Sequence, residues 1–161
     1  MNKSFDVTRK PHRLIKLEEV NNLYSENKLE LQEKIKFFCR FKRYVSRDDM
    51  QKAISTNSST GTLMYTFSMK DLDLEDSNTH TISSKILLFE SKGTAIFLDV
   101  SHINLPVLVI NDEYALFGQF DLIDGITPMF FAHTVSPCGK IDQEILTKTL
   151  EILKYHQVID Y

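Results

Sequence analysis

Lys34-Ile35-Lys36-Phe37-Phe38-Cys39-Arg40-Phe41-Lys42-Arg43-Tyr44-Val45 is the most informative stretch of this chain. Ile35, Phe37, Cys39 and Phe41 fall on one side of an extended backbone, and Lys36, Phe38, Arg40, Lys42 and Tyr44 on the other. Successive side chains of a strand point to opposite faces, so this period of two reads as a strand. A strand this long, apolar on one face and basic-aromatic on the other, has to curve around a core.

Downstream, Arg47 to Thr60 is polar and reads as a loop. Leu63, Tyr65, Phe67 and Met69 alternate and predict a second strand, followed by an acidic loop from Lys70 to Thr79. Ile82 to Glu90 and Thr94 to Ile103 are β-rich runs joined by Ser91-Lys92-Gly93, a hairpin with Gly93 left-handed. Ile96, Leu98 and Val100 point inward in this reading. After a connector holding Pro106, Tyr114, Leu116, Gly118, Phe120 and Leu122 share a strand face. Gly118 inside it marks a bend or a close backbone approach. Asp124-Gly125 turns the chain into a last strand, Met129 to Val135.

Upstream, Leu14 to Leu31 fits either a helical face (Leu14, Leu17, Val20) or a short strand against the barrel, ending in a turn at Ser25-Glu26-Asn27. Residues 1–13 read as a flexible arm and residues 14–161 as one domain.

The C-terminal part predicts a helix over 142–158. Asp142 suits the N-cap, Ile141 and Leu146 occupy the staple positions, and Glu144 and Lys148 form an i,i+4 pair. Its apolar residues fill an arc of roughly 180°, wider than one packed surface needs. Either the helix lies deep in a groove of its own domain, or one flank meets a partner.

Five or six alternating strands followed by a helix make an all-β barrel or an α+β sheet. The long curving strand and the bend at Gly118 favour the barrel: a five-stranded OB-fold with a C-terminal α-helix and a short N-terminal element.

The chain has 161 residues, 42% hydrophobic, with a net charge of −3. That suits one domain that folds without disulfides or metal and is not generally polyanion-seeking. Cys39 and Cys138 stand far apart with no CxxC, as expected in a reducing compartment. The opening residues lack the apolar run of a signal peptide, and no stretch suits a membrane helix, so a cytosolic or nuclear protein without membrane contact is expected.

No catalytic constellation emerges. His12, His80, His102, His133 and His156 are scattered, none at metal-ligand spacing from a cysteine or carboxylate. Asp71, Asp73, Glu75 and Asp76 lack the glycine and terminal glutamate of a calcium loop. No phosphate loop or nucleophile elbow is present. The expectation is a non-enzymatic chain with no metal and no cofactor. One surface has nucleic-acid character: Lys36, Arg40 and Lys42 interleave with Phe38 and Tyr44, and Arg43 follows. Single-strand binders combine cations with aromatic platforms in this way. Equally, long basic side chains can simply solvate a strand's outer face.

The element order resembles that of the smallest OB-fold subunits of replication protein A and of the telomere-capping CST complex, closest to the Ten type. The resemblance rests on Ile96-Phe97-Leu98-Asp99-Val100, the connector through Pro106, and Tyr114-Ala115-Leu116-Phe117-Gly118-Gln119-Phe120, which follows a Y-x-x-x-G-x-x pattern. The final strand, the C-terminal helix and the opening strand Lys34 to Val45 complete it, over roughly residues 14 to 159. The acidic loop and the run Ile82 to Glu90 depart from it as insertions. The lysine- and asparagine-leaning composition is similar to that of the ciliate telomerase-holoenzyme version.

The resemblance implies a nuclear, telomeric subunit that pairs with a larger OB-fold (Stn-type) subunit through C-terminal helices and adjacent barrel surface. The pair would support a third large telomere subunit on single-stranded DNA, in telomere maintenance or telomerase and C-strand synthesis. Carried onto this chain, it points to Leu146, Leu150 and Leu153, with Gln157, as pairing residues. The alternatives are a general replication protein A small subunit, an α+β scaffold of a membrane-traffic complex, and an enzyme using Cys138 or His133.

Overall fold

The computed structural model describes residues 12–57, 63–72, 85–138 and 148–152. In chain order its strands are β1 (Arg13–Leu14), β2 (Ile35–Val45), β3 (Phe67–Ser68), β4 (Ile86–Ser91), β5 (Thr94–Asp99), β6 (Glu113–Ile123) and β7 (Thr127–Pro137). The helices are α1 (Val20–Ser25) and α2 (Arg47–Asn57). Residues 148–152 are also helical.

Five strands close into an OB-fold barrel in the order β2-β4-β5-β7-β6, with β6 returning to β2. β2 achieves this by changing partners. Ile35 to Arg40 pair with β6, and Arg40 to Val45 pair with β4. Arg40 stands opposite both Glu113 and Glu90, which is the curvature that the long alternating stretch requires. β5 and β7 pair in parallel. Lys92 (φ 51) and Gly93 (φ 85) form the left-handed β4–β5 turn, and Asp124 (φ 54) and Gly125 (φ 71) the β6–β7 turn. Gly118 faces the barrel interior at a register shift between β6 and β7. A Cβ there would collide with the Phe131 carbonyl and sit 2.9 Å from the Phe130 ring.

Two hydrophobic cores lie on opposite sides of the sheet. The barrel interior holds Ile35, Phe37, Cys39, Phe41, Leu87, Phe89, Ile96, Leu98, Tyr114, Leu116, Phe120 and Phe130. Phe120 and Phe130 meet edge to face at 5.1 Å, and Phe37 and Phe130 at 5.2 Å, geometries that aromatic quadrupoles favour. The second core is outside. Ile86, Leu88, Ala95 and Phe97 pack there under Met50, Ala53 and Phe67.

The outer core explains two departures from the sequence reading. Arg47 to Thr60, expected as a loop, carries α2. Ser46 Oγ accepts the Asp49 N–H at 3.1 Å, an N-cap bond, and Met50, Ala53 and Ile54 then share one apolar face. The expected strand Leu63 to Met69 shrinks to Phe67–Ser68, with a 3₁₀ turn at Met69–Asp71. The N-terminal element is both of its alternatives in series: β1, a 3₁₀ turn at Leu17–Glu19, then α1. Arg13, assigned to the arm, belongs to β1 and forms an ion pair with Glu33 at 3.2 Å. The acidic loop beyond Leu72 and residues 81–84 lie outside the described residues.

Candidate functional site

The basic-aromatic stretch of β2 does not stay on one face. Lys36, Phe38 and Arg40 do share the barrel exterior. Lys36 Nζ sits 4.9 Å from the Phe38 ring and 5.0 Å from the ring of Phe117, its cross-strand neighbour on β6. Phe117 takes His12 edge-on at 5.3 Å, and His12 reaches His133 at 6.0 Å. Burial, then His133, Lys34 and Lys36, push the His12 pKa below its ordinary value. Arg40 Nε donates to Glu113 Oε1 at 3.1 Å.

Beyond Arg40 a register shift between Phe41 and Arg43 breaks the alternation. Lys42 donates to Asn111 Oδ1 at 2.7 Å, on the connector before β6. Arg43 pairs with Leu88, on the outer-core face of β4. Tyr44 pairs with Leu87 and packs on the barrel interior, 5.4 Å from Phe41. The expectation that Tyr44 lies beside Lys36 and Phe38 is therefore corrected: the bulge turns it inward. Lys42 is held by the connector, and Arg43, which follows the alternating set, lies opposite Leu88.

Of the expected pairing residues, Leu146, Leu153 and Gln157 lie outside the described residues. Leu150 is 3% exposed, so the chain's own fold already buries it. This corrects its placement on a partner-facing edge. Ile152, two residues on, is 60% exposed.

A second exposed apolar element went unread in the sequence. Residues 100–112 connect β5 to β6, and Val107, Val109 and Ile110 in this connector are 88%, 50% and 62% exposed. The connector is fixed by backbone bonds. The buried Tyr114 hydroxyl accepts the Val109 N–H at 2.8 Å and lies 3.4 Å from the Val107 carbonyl. Asn111 N–H donates to the Phe41 carbonyl at 2.7 Å, and Phe41 N–H to the Asp112 carbonyl at 3.1 Å. Three branched side chains are thus presented to solvent on a held backbone. The run Val107-Leu108-Val109-Ile110, four apolar residues in a connector, was the available signal.

The thiols offer no activated nucleophile. Burial raises Cys39 well above its ordinary range, and burial with Glu113 nearby raises Cys138. Among the described residues, no group of three or more His, Cys, Asp or Glu side chains could hold a metal ion. No described helix is long and apolar enough to cross a membrane.

No family model matches the sequence, and no curated protein matches it. Solved structures do. The crystal structure of the telomere capping protein Ten1 from S. pombe superposes with a TM-score of 0.53 at 10% identity, covering 90% of this chain and 99% of that one. A chain of the S. pombe Stn1–Ten1 complex gives a TM-score of 0.51 at 11% identity, covering 94% and 96%. The chain has the OB-fold of Ten1 over nearly its whole length.

Proposed function

We propose that this chain is a non-catalytic, Ten-like subunit that pairs with a larger OB-fold subunit of the Stn type. Together with a third large subunit, the pair acts on single-stranded telomeric DNA in the nucleus, in telomere maintenance or in telomerase and C-strand synthesis. The observation that carries the reading is the near end-to-end match with Ten1 and with a chain of the Stn1–Ten1 complex. Two exposed apolar elements suited to pairing support it: Val107, Val109 and Ile110 on a fixed connector, and Ile152 on the C-terminal helix. Large exposed apolar side chains on a rigid frame are what protein interfaces bury at their centres. Leu146, Leu153 and Gln157 remain proposed contacts beside Ile152.

DNA contact within the assembly falls to Lys36, Phe38 and Arg40 in this reading. The Lys36 ammonium already lies against two rings and Arg40 is paired, so little of this charge is unengaged. A tagged purification from native extract tests the proposal. Recovery with a larger OB-fold subunit and telomeric or telomerase components is expected. Recovery with trafficking proteins or with general replication factors overturns it.

A further inference from the structure

An OB barrel grips a single strand on the outer face of its second and third strands, bordered by the loops joining strands one to two and four to five. Here those strands are β4 and β5, bordered by α2 and the described residues 63–72 on one side and by the turn at Asp124-Gly125 on the other. Their outward residues Ile86, Leu88, Ala95 and Phe97 are all buried. The chain's own insert covers them, with Met50 and Ala53 of α2 and Phe67 of β3 packed on the strands, and Met64, Met69 and Leu72 around them. Base stacking needs an open aromatic ring. The Phe97 ring is taken by Phe67, edge to face at 5.6 Å.

The insert is fastened from several sides. β3 pairs with β5 through Phe67 and Ala95 and through Ser68 and Thr94. Met69 N–H donates to the Gly93 carbonyl at 2.7 Å. Asn21 of α1 grips the approach to β3: its Oδ1 accepts the Tyr65 and Thr66 N–H groups at 2.8 and 3.2 Å, and its Nδ2 donates to the Thr66 carbonyl at 2.9 Å. Tyr24 of α1 stacks on Tyr65 at 3.8 Å, nearly parallel. Apolar burial, backbone bonds to β5 and Gly93, and the Asn21 side-chain bonds hold the insert as part of the fold.

We propose that α2 and residues 63–72 are a built-in occupant of the β4–β5 face, so that a single strand held by an assembly containing this chain passes elsewhere. This deepens the proposed function by dividing labour: the barrel serves partners, and other surfaces or subunits hold the DNA. The closure itself rests only on this chain's packing.

Hydrogen exchange of the full chain, with and without a large excess of a mixed-sequence single-stranded 20-mer at about 50 mM salt, where electrostatic binding is strong, tests it. The same comparison is then made on the heteromer purified with its partner. Exchange in α2, residues 63–72, β4 and β5 should change less than twofold on adding DNA, even where DNA protects other segments. Protection of β4 and β5, or faster exchange of the insert as it is displaced, would overturn the proposal. Recovery of the chain as a lone monomer would refute the pairing reading while leaving this exchange pattern intact, so the two claims fail separately.

Discussion

Arg40 Nε donates to Glu113 Oε1 across 3.1 Å at the point where β2 leaves β6 for β4. Glu113 is only 5% exposed, so the guanidinium serves a buried carboxylate. Truncating one partner leaves the other charge without its main counter-ion. Arg40→Ala should lower stability by about 1–3 kcal/mol, read from the urea midpoint.

The two leucine and isoleucine positions of the C-terminal helix should separate cleanly. Ile152→Asp should keep the denaturation midpoint within about 0.5 kcal/mol of wild type, as exposed substitutions do. It should weaken pairing with the larger subunit at least tenfold in a titration. Leu150→Asp should destabilise the chain itself, because Leu150 is buried without any partner present.

Val107→Asp with Ile110→Asp probes the connector. Tyr114 and the Phe41 backbone hold its path independently of those side chains. Circular dichroism and melting temperature should be unchanged, and partner affinity should fall tenfold or more.

Gly118→Ala should be among the costliest single-methyl changes in the protein. The added Cβ meets backbone at Phe131 and the ring of Phe130, neither of which can swing away. A loss of about 3 kcal/mol is expected, at the upper end for overpacking.

The environment of His12 gives a pH dependence with a definite sign. Its folded pKa lies below the ordinary 6.5, with burial as the main cause. The unfolded chain therefore takes up the proton first, and stability falls as pH drops through about 6.5, levelling off below the folded pKa. Urea midpoints at pH 7.5 and 5.5 should differ more for wild type than for His12→Ala.

Legibility in the sequence followed the physics of each element. The barrel strands were readable because their inner faces meet one core, which imposes period two on Ile35 to Phe41 and on Ile96 to Val100. The left-handed turns were readable because Gly93 and Gly125 are needed where they stand. The helix α2 was missed because only Met50, Ala53 and Ile54 are apolar in a polar run, while its capping pair Ser46 and Asp49 was present. The inward turn of Tyr44 was invisible because a one-residue bulge leaves no compositional mark and inverts every side chain after it. The outer core could not be foreseen from strand alternation. β4 and β5 are apolar on both faces, and only the packed insert says what the second face is for.

The most direct test of the central claim is to co-express this chain with the larger OB-fold subunit of the same source and measure the mass of the purified species by light scattering. A stable one-to-one heterodimer that Ile152→Asp dissociates is the predicted result. Two separate monomers at micromolar concentration would contradict it.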